Sequence, residues 1–156
     1  MTDQLHASAT HTDPDADPRR GPRRHSRRVL AAIAVGGVLG STARYGLAEL
    51  VPAPAERFPW VTLGINATGS LALGVALTLI VERFPPSRYL RPFVATGFLG
   101  AYTTYSTFAV ETVMLVRDGH PTTAIAYVVA STVVGLAAVL LGIRLGRAVP
   151  LPAGRS

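Results

Sequence analysis

Four long apolar runs dominate this chain, and they restrict the folds open to it more than any other feature does. The runs cover residues 29–51, 60–81, 90–116 and 121–145 of the 156. A helix needs about 20 residues to cross the hydrocarbon core of a bilayer, and each run is long enough. The first two breaks contain proline, at 52, 54, 59, 85 and 86, and Gly119 with Pro121 marks the third connection; glycine and proline disfavour a continuing helix. The pattern predicts an all-α membrane protein with four transmembrane helices per subunit.

A soluble four-helix bundle is the alternative reading of these runs. Its helices would show polar faces with a 3.6-residue period, yet residues 122–142 contain no charged side chain. Charged residues make up only 15% of the chain and crowd into the first 28 positions. We therefore expect a disordered Arg-rich cytoplasmic tail at 1–28, a four-helix transmembrane domain at 29–147 and a short C-terminal tail at 148–156.

All fifteen basic residues are arginines, and their distribution predicts the orientation of the chain. If the N-terminus is cytoplasmic, twelve arginines lie on that side: Arg19, Arg20, Arg23, Arg24, Arg27, Arg28, Arg83, Arg88, Arg91, Arg144, Arg147 and Arg155. Only Arg57 and Arg117 lie outside, and Arg44 falls within the first run. The positive-inside rule then places both termini of this multi-pass protein on the cytoplasmic side of the cell membrane. Arginines in a polar tail beside an apolar segment indicate topology rather than nucleic-acid binding.

The third run is the most informative, because residues 97–108 read Gly-Phe-Leu-Gly-Ala-Tyr-Thr-Thr-Tyr-Ser-Thr-Phe. Glycine lowers helix propensity, and serine and threonine compete for backbone hydrogen bonds. We expect this helix to break in mid-membrane, near residues 100–104. Non-helical backbone is tolerated there only where protein or water covers it, and freed carbonyl oxygens can coordinate a cation. The alternative is that the small residues only let helices approach each other.

Isolated polar residues in the first two runs are candidates for a pore or for bonds between helices. Asn66 offers two hydrogen-bond donors and an acceptor, and it must find partners within its span. It can line a pore or simply bond a neighbouring helix. Arg44 is a charge within the first run, which suggests a functional role such as drawing anions into a vestibule. Alternatively, the Arg44 side chain extends along the helix and places its charge at the membrane–water interface.

Further polar residues follow in the third and fourth runs. Glu111 lies on the side of Phe108, one turn later, and its partner is either a hydroxyl group or Arg44. Tyr127 and Ser131 are four residues apart and share a face of the fourth helix. Their hydroxyl groups could extend a track of polar side chains through the membrane, or they could simply form hydrogen bonds with neighbouring polar groups.

No pattern typical of an enzyme occurs in this sequence. The four histidines, at positions 6, 11, 25 and 120, lie outside the apolar runs, and the chain has no cysteine. It contains no HExxH, GxSxG or phosphate-loop motif. We therefore expect a protein that is not an enzyme.

Three motifs in order resemble the CrcB/Fluc family of fluoride channels. They are Gly-Gly-x-x-Gly-x-x-x-Arg-Tyr at 36–45, Gly-x-Asn-x-x-Gly-Ser at 64–70, and Gly-Phe-x-Gly-x-x-Thr-Thr-Tyr-Ser-Thr-Phe at 97–108. The resemblance implies passive export of fluoride by an antiparallel, dual-topology dimer with two pores along its interface. It also implies a structural Na⁺, not transported, held by the backbone carbonyls of Gly100 and Thr103 at the breaks of the third helices.

The same resemblance implies a set of residues along the fluoride pathway. These are Asn66, Tyr105, Ser106, Thr107, Phe108, Tyr127 and Ser131. Two aromatic rings on the third helix line each pore in the family, and Glu111 matches an acidic position. Tyr105 stands where the family usually has phenylalanine, so one of the two pores would be altered or silent.

Two alternatives to a self-sufficient channel follow from these observations. Twelve arginines against two should hold the chain in one orientation, so it could need a related partner inserted the opposite way. A non-conducting or partner-dependent subunit of a heterodimeric channel is therefore one alternative. A small multidrug-type transporter is the other, although such a protein would want a membrane-embedded glutamate in its first helix, where this chain has Arg44.

Overall fold

The computed structural model describes residues 24–50, 58–83 and 87–150, with side chains for 27–50, 58–82 and 87–150. Every regular element in these ranges is helical. We number five: α1 Arg24–Leu50, α2 Trp60–Thr78, α3 Pro92–Leu99 with Gly100–Tyr102, α4 Tyr105–Arg117, and α5 Pro121–Ala148. The stretch Leu79–Arg83 extends α2 as a π-helical turn, and Pro92–Leu99 is also π-helical.

The predicted tails fall largely outside the described residues. Positions 1–23 and 151–156 of these tails are not described, and neither are the connecting segments 51–57 and 84–86. Helix α1 begins at Arg24, ahead of residue 29 where the apolar run starts.

Three of the helices are long and apolar enough to cross a membrane. They span Arg27–Leu50, Trp60–Glu82 and Pro121–Ala148, with mean hydropathies of 1.3, 1.7 and 2.4. The third predicted run is instead divided between α3 and α4. At about 1.5 Å of rise per residue, neither piece reaches across a hydrocarbon core about 30 Å thick. The described chain is thus an all-helical protein with several membrane-capable helices.

The helices pack mainly as two pairs, α1 with α3 and α2 with α5. Glycines set the closest approach in both pairs. A methyl group at Gly40 would overlap the Phe98 carbonyl across the first pair, and one at Gly142 would overlap the Leu71 carbonyl across the second. Small residues at such crossings let backbones approach without a hydrophobic driving force.

Two extended residues separate α3 from α4. Thr103 has φ −75° and ψ 156°, and Thr104 has φ −142° and ψ 118°. The Thr104 side chain caps the next helix by accepting the Thr107 N–H at 3.2 Å, as threonine commonly does at a helix start. The high density of hydroxyl residues at 103–107 therefore has a local structural effect, because these side chains take up backbone groups that the helix would otherwise pair.

A tight turn joins α4 to α5. Gly119 has φ +83°, a left-handed conformation that glycine adopts without strain. The His120 N–H donates to the Leu115 carbonyl at 2.8 Å and so closes the end of α4. Pro121 then occupies the first turn of α5, where its missing N–H costs nothing.

The buried core is small and lies among α2, α4 and α5. Leu115, Ala124 and Tyr127 are its buried members, and Phe108 packs against them. Many large apolar side chains on α1, α4 and α5 are exposed, Val38 and Leu136 among them. Such a surface suits lipid or a partner protein rather than water.

Candidate functional site

The candidate site is a cavity beside the α3–α4 break, bounded also by α2 and α5. Its volume is about 450 Å³. Residues predicted from the sequence contribute to its wall: Asn66, Gly100, Thr103, Tyr105, Phe108 and Ser131. The fold therefore brings four of the seven predicted pathway residues and both predicted cation-binding positions to one place.

Asn66 binds the backbone at the break through both ends of its amide. Its Nδ2 donates to the Thr104 carbonyl at 3.0 Å, and its Oδ1 accepts the Thr104 N–H at 2.8 Å. An extended residue between two helices has no helical partners for these groups, and leaving them unpaired while buried would be costly. Asn66 retains one N–H that Thr104 does not use, and it lines the cavity.

Side chains also divert the donors that would pair with the Gly100 and Thr103 carbonyls in a continuous helix. The Thr104 N–H, four residues after Gly100, donates to Asn66. The Thr107 N–H, four residues after Thr103, donates to the Thr104 hydroxyl. Both carbonyl oxygens thus lose their regular i+4 donors, and oxygen atoms of this kind suit a hard cation. In the described part of the chain, no group of three or more His, Cys, Asp or Glu side chains offers another metal site.

Arg44 is tied to the end of α3. Its Nε donates to the Ala101 carbonyl at 3.1 Å. A cationic group near a helix C-terminus interacts favourably with the carbonyl end of the helix dipole. The two ends of the break therefore have anchors on different helices, Arg44 on α1 and Asn66 on α2.

Three aromatic rings follow one another at the cavity. The Tyr105 and Phe108 ring centroids lie 5.9 Å apart, and those of Phe108 and Tyr127 lie 5.1 Å apart. Their burial differs: Tyr105 is 80% exposed, Phe108 is half-buried and Tyr127 is fully buried. Aromatic ring edges carry partial positive charge, so such edges can contact an anion weakly.

Glu111 sits between two hydroxyl donors. Its Oε1 accepts from the Thr62 hydroxyl at 2.8 Å, and its Oε2 accepts from the Tyr127 hydroxyl at 2.7 Å. Both partners of Glu111 are therefore hydroxyl groups, and Arg44 is engaged elsewhere. These bonds connect α2, α4 and α5 behind Phe108.

The remaining predicted residues lie next to the cavity rather than in its wall. Ser106 and Thr107 contact the Thr104 hydroxyl at 3.3 and 2.9 Å. Tyr127 directs its hydroxyl to Glu111 and packs its ring on Phe108.

Sequence reasoning gave no role in the pathway to two polar residues on α2, Thr62 and Ser70. Thr62 bonds Glu111, and Ser70 lines the cavity. Both lie four residues from Asn66, so the i, i+4 spacing around that asparagine could have identified them.

Comparison with known proteins gives one family and several curated relatives. The family model described as CrcB-like protein, Camphor Resistance (CrcB), matches residues 31–143. Fluoride-specific ion channel FluC 3 of Streptomyces avermitilis is 47% identical over 119 residues, which are 76% of this chain and 58% of the relative. FluC 1 of Streptomyces coelicolor is 43% identical over 126 residues, 81% of this chain and 82% of the relative. FluC 2 of Streptomyces avermitilis is 46% identical over 103 residues, 66% and 65% of the two chains. The chain therefore spans less than two thirds of two of these relatives and most of the third.

Proposed function

This chain belongs to the CrcB-like family, and from that membership we propose that it is a fluoride-specific ion channel that lowers cytoplasmic fluoride by passive export. The relatives are named as fluoride-specific channels. The observation within this chain that supports the proposal best is the cavity at the helix break, where an asparagine amide, a phenylalanine ring and a serine hydroxyl meet.

The chemistry of the cavity suits a small, strongly hydrated anion. Asn66 has an N–H that Thr104 does not use, Ser131 has a hydroxyl without a partner among the described residues, and Phe108 presents a ring whose edge is weakly positive. These three groups are uncharged, so together they can replace part of a hydration shell and still bind the ion weakly. Conduction requires binding that is favourable enough for entry and weak enough for exit.

The proposed architecture has four membrane spans, with α3, the break and α4 together forming the third. Each half is too short to cross alone, and the exposed apolar surface leaves room for a second subunit. We propose an antiparallel dimer, in which the breaks of two subunits meet and two pores run along the interface. Both termini would be cytoplasmic, since twelve of the fifteen arginines then lie inside.

We further propose a structural Na⁺ at the meeting point of the breaks, held by the Gly100 and Thr103 carbonyls. The loss of their i+4 donors to Asn66 and Thr104 supports this assignment. When bound, the ion would coordinate these carbonyl oxygens. Burying each of them in hydrocarbon without a partner would cost several kcal/mol. The ion would not be transported.

The partner is proposed to be a related chain inserted in the opposite orientation. The arginine bias favours one orientation for this chain, and FluC 2 and FluC 3 of Streptomyces avermitilis are two relatives from one organism. A partner-dependent subunit is the second candidate function, supported by Tyr105, whose exposed phenol changes the wall of the cavity.

Fluoride efflux from liposomes that contain the purified chain tests these proposals. A fluoride electrode would record the efflux, and chloride-loaded liposomes would serve as the control. Rapid, selective fluoride loss is expected, and from the chain alone it would show that a homodimer suffices. Loss of both anions at equal rates would contradict the proposal. Absence of flux from the chain alone, restored by a co-reconstituted relative, would identify a partner-dependent subunit.

A further inference from the structure

Several hydroxyl side chains of this protein are occupied by the backbone of their own segment. Each of the following donates to the carbonyl four residues earlier, at 2.7 to 3.0 Å: Ser41, Thr68, Thr78, Thr103, Thr112 and Thr132. This is the usual way for serine and threonine to satisfy their hydroxyl groups within a helix. A helical hydroxyl that makes no such bond needs another partner if it is buried.

Ser70 and Ser131 make no such bond, and both line the same cavity. The Ser131 Oγ is buried and has no hydrogen-bond partner among the described residues. Ser70 is half-buried and makes no hydrogen bond to any described residue either. A buried hydroxyl without a partner costs free energy unless something else accepts its proton.

The two serines belong to helices that pack tightly against each other. Ser70 follows Asn66 by one turn on α2, and Gly135 follows Ser131 by one turn on α5. The Ser70 Oγ lies 3.8 Å from the point that a Cβ on Gly135 would occupy, and outside the adjoining turns of α5 no other atom of the described residues lies within 4 Å of that point. Gly135 therefore leaves open space beside the Ser70 hydroxyl.

We propose that Ser70, together with Ser131, forms a further anion-binding position in the cavity, one turn past Asn66 toward the C-terminal end of α5. The inference rests on the proposed fluoride channel and adds Ser70, which ends the motif at 64–70 but is not among the predicted pathway residues. Two hydroxyl donors and no cation would hold fluoride briefly. Because Gly135 has no side chain, it leaves space for a small ion such as fluoride beside the Ser70 hydroxyl.

Ser70→Ala tests this position directly, because it removes the hydroxyl and adds no bulk. Fluoride efflux should fall about tenfold, the ratio that corresponds to one hydrogen bond to a charged acceptor. Ser131→Ala should behave in the same way. Ser41→Ala is the matched control: it makes the same change outside the cavity wall, at a hydroxyl that is bonded to the Gly37 carbonyl at 2.8 Å. Its efflux should stay within about twofold of the unsubstituted chain.

Gly135→Ala provides a second test that keeps the Ser70 hydroxyl. The added methyl would make only an ordinary contact, so the fold should tolerate it. It would fill the space next to Ser70, and efflux should again fall about tenfold if an ion occupies that space. If Ser70→Ala does not fold, the efflux of Gly135→Ala decides whether an ion binds beside Ser70.

The outcomes separate this inference from the proposed function. If the unsubstituted chain conducts fluoride and both Ser70→Ala and Gly135→Ala stay within about twofold of it, the inference is wrong and the channel assignment stands. An equal loss in Ser70→Ala and Ser41→Ala would also overturn the inference, since it would reflect packing rather than binding. If the unsubstituted chain conducts no fluoride with or without a relative, both proposals fail.

Discussion

Residue by residue, the site depends on a few polar side chains that compensate for an interrupted backbone. Asn66 pairs with both the N–H and the carbonyl of Thr104, and Arg44 caps the carbonyl end of α3. Glu111 holds the hydroxyls of Thr62 and Tyr127. In hydrocarbon these bonds have no water to replace them, so each side chain supports the local structure as well as any role in the pathway.

Asn66→Ala should destabilise the protein by about 2 kcal/mol, because two hydrogen bonds to the break are lost and two buried backbone groups are left unpaired. Denaturant unfolding in detergent would measure the loss. Thr132→Val, which removes a bond only within α5, should change the free energy of unfolding by less than about 0.5 kcal/mol. Equal stability of the two variants would show that Asn66 does not hold the break.

Tyr105→Phe should leave stability unchanged within about 0.5 kcal/mol, because the side chain is 80% exposed and its hydroxyl has no partner among the described residues. Any change in fluoride efflux then reports on the wall of the cavity itself. Increased efflux is expected if the phenol obstructs the pathway. Thermal unfolding alongside efflux provides the comparison, and a marked loss of stability would contradict the exposed position.

For the helices, close packing at glycine crossings positions the cavity. α1 pairs with α3 near Gly40, and α2 pairs with α5 near Gly142, so the break in the third run lies between two tightly packed pairs. The Glu82–Arg147 ion pair, with Nη2 to Oε1 at 2.9 Å, links α2 and α5 farther along. It is exposed and adds little to stability. The crossings, rather than charges, therefore decide how the helices are placed.

Gly40→Ala should destabilise the protein by about 2 kcal/mol, because its methyl would overlap the Phe98 carbonyl and force the helices apart. Gly37→Ala on the same helix is the control. Nothing lies within 4 Å of a Cβ at Gly37, and alanine has the higher helix propensity, so this variant should be neutral or slightly stabilising. Thermal unfolding of the pair in one detergent would compare them. Similar melting temperatures would contradict the close crossing.

At the scale of the whole molecule, the arginine distribution and the exposed apolar surface govern orientation and assembly. Twelve arginines lie on the proposed cytoplasmic side and two on the other. A dual-topology homodimer needs nearly balanced charge so that each copy can insert both ways. The bias therefore favours one orientation for all copies of this chain.

Single cysteines would determine that orientation, because the chain has no native cysteine. Ser87→Cys and His120→Cys place thiols at exposed positions in different connections between helices. A membrane-impermeant maleimide added outside intact cells should label the second and not the first. Labelling of both to similar extents would indicate dual topology and remove the argument for an oppositely oriented partner.

The sequence by itself determined the class of protein. Apolar runs at 29–51, 60–81 and 121–145 predicted membrane-capable helices, and α1, α2 and α5 occupy these runs, because the length and polarity of a run are local properties. Family membership was equally readable from three short motifs, and the family match confirms it. The glycine and proline signals at 119 and 121 likewise indicated the turn between α4 and α5.

Only the tertiary structure decided how the polar residues are paired. The sequence left the partner of Glu111 open between a hydroxyl and Arg44, and it did not suggest that Asn66 would bind Thr104 across 38 residues. It also left Ser70 out of the pathway, since a lone serine beside glycine looks like a packing residue until its hydroxyl is found in the cavity without a partner among the described residues. Such pairings depend on which helices cross and at what height. The crossing positions of the helices are set by contacts between segments far apart in the chain, so no local sequence pattern predicts them.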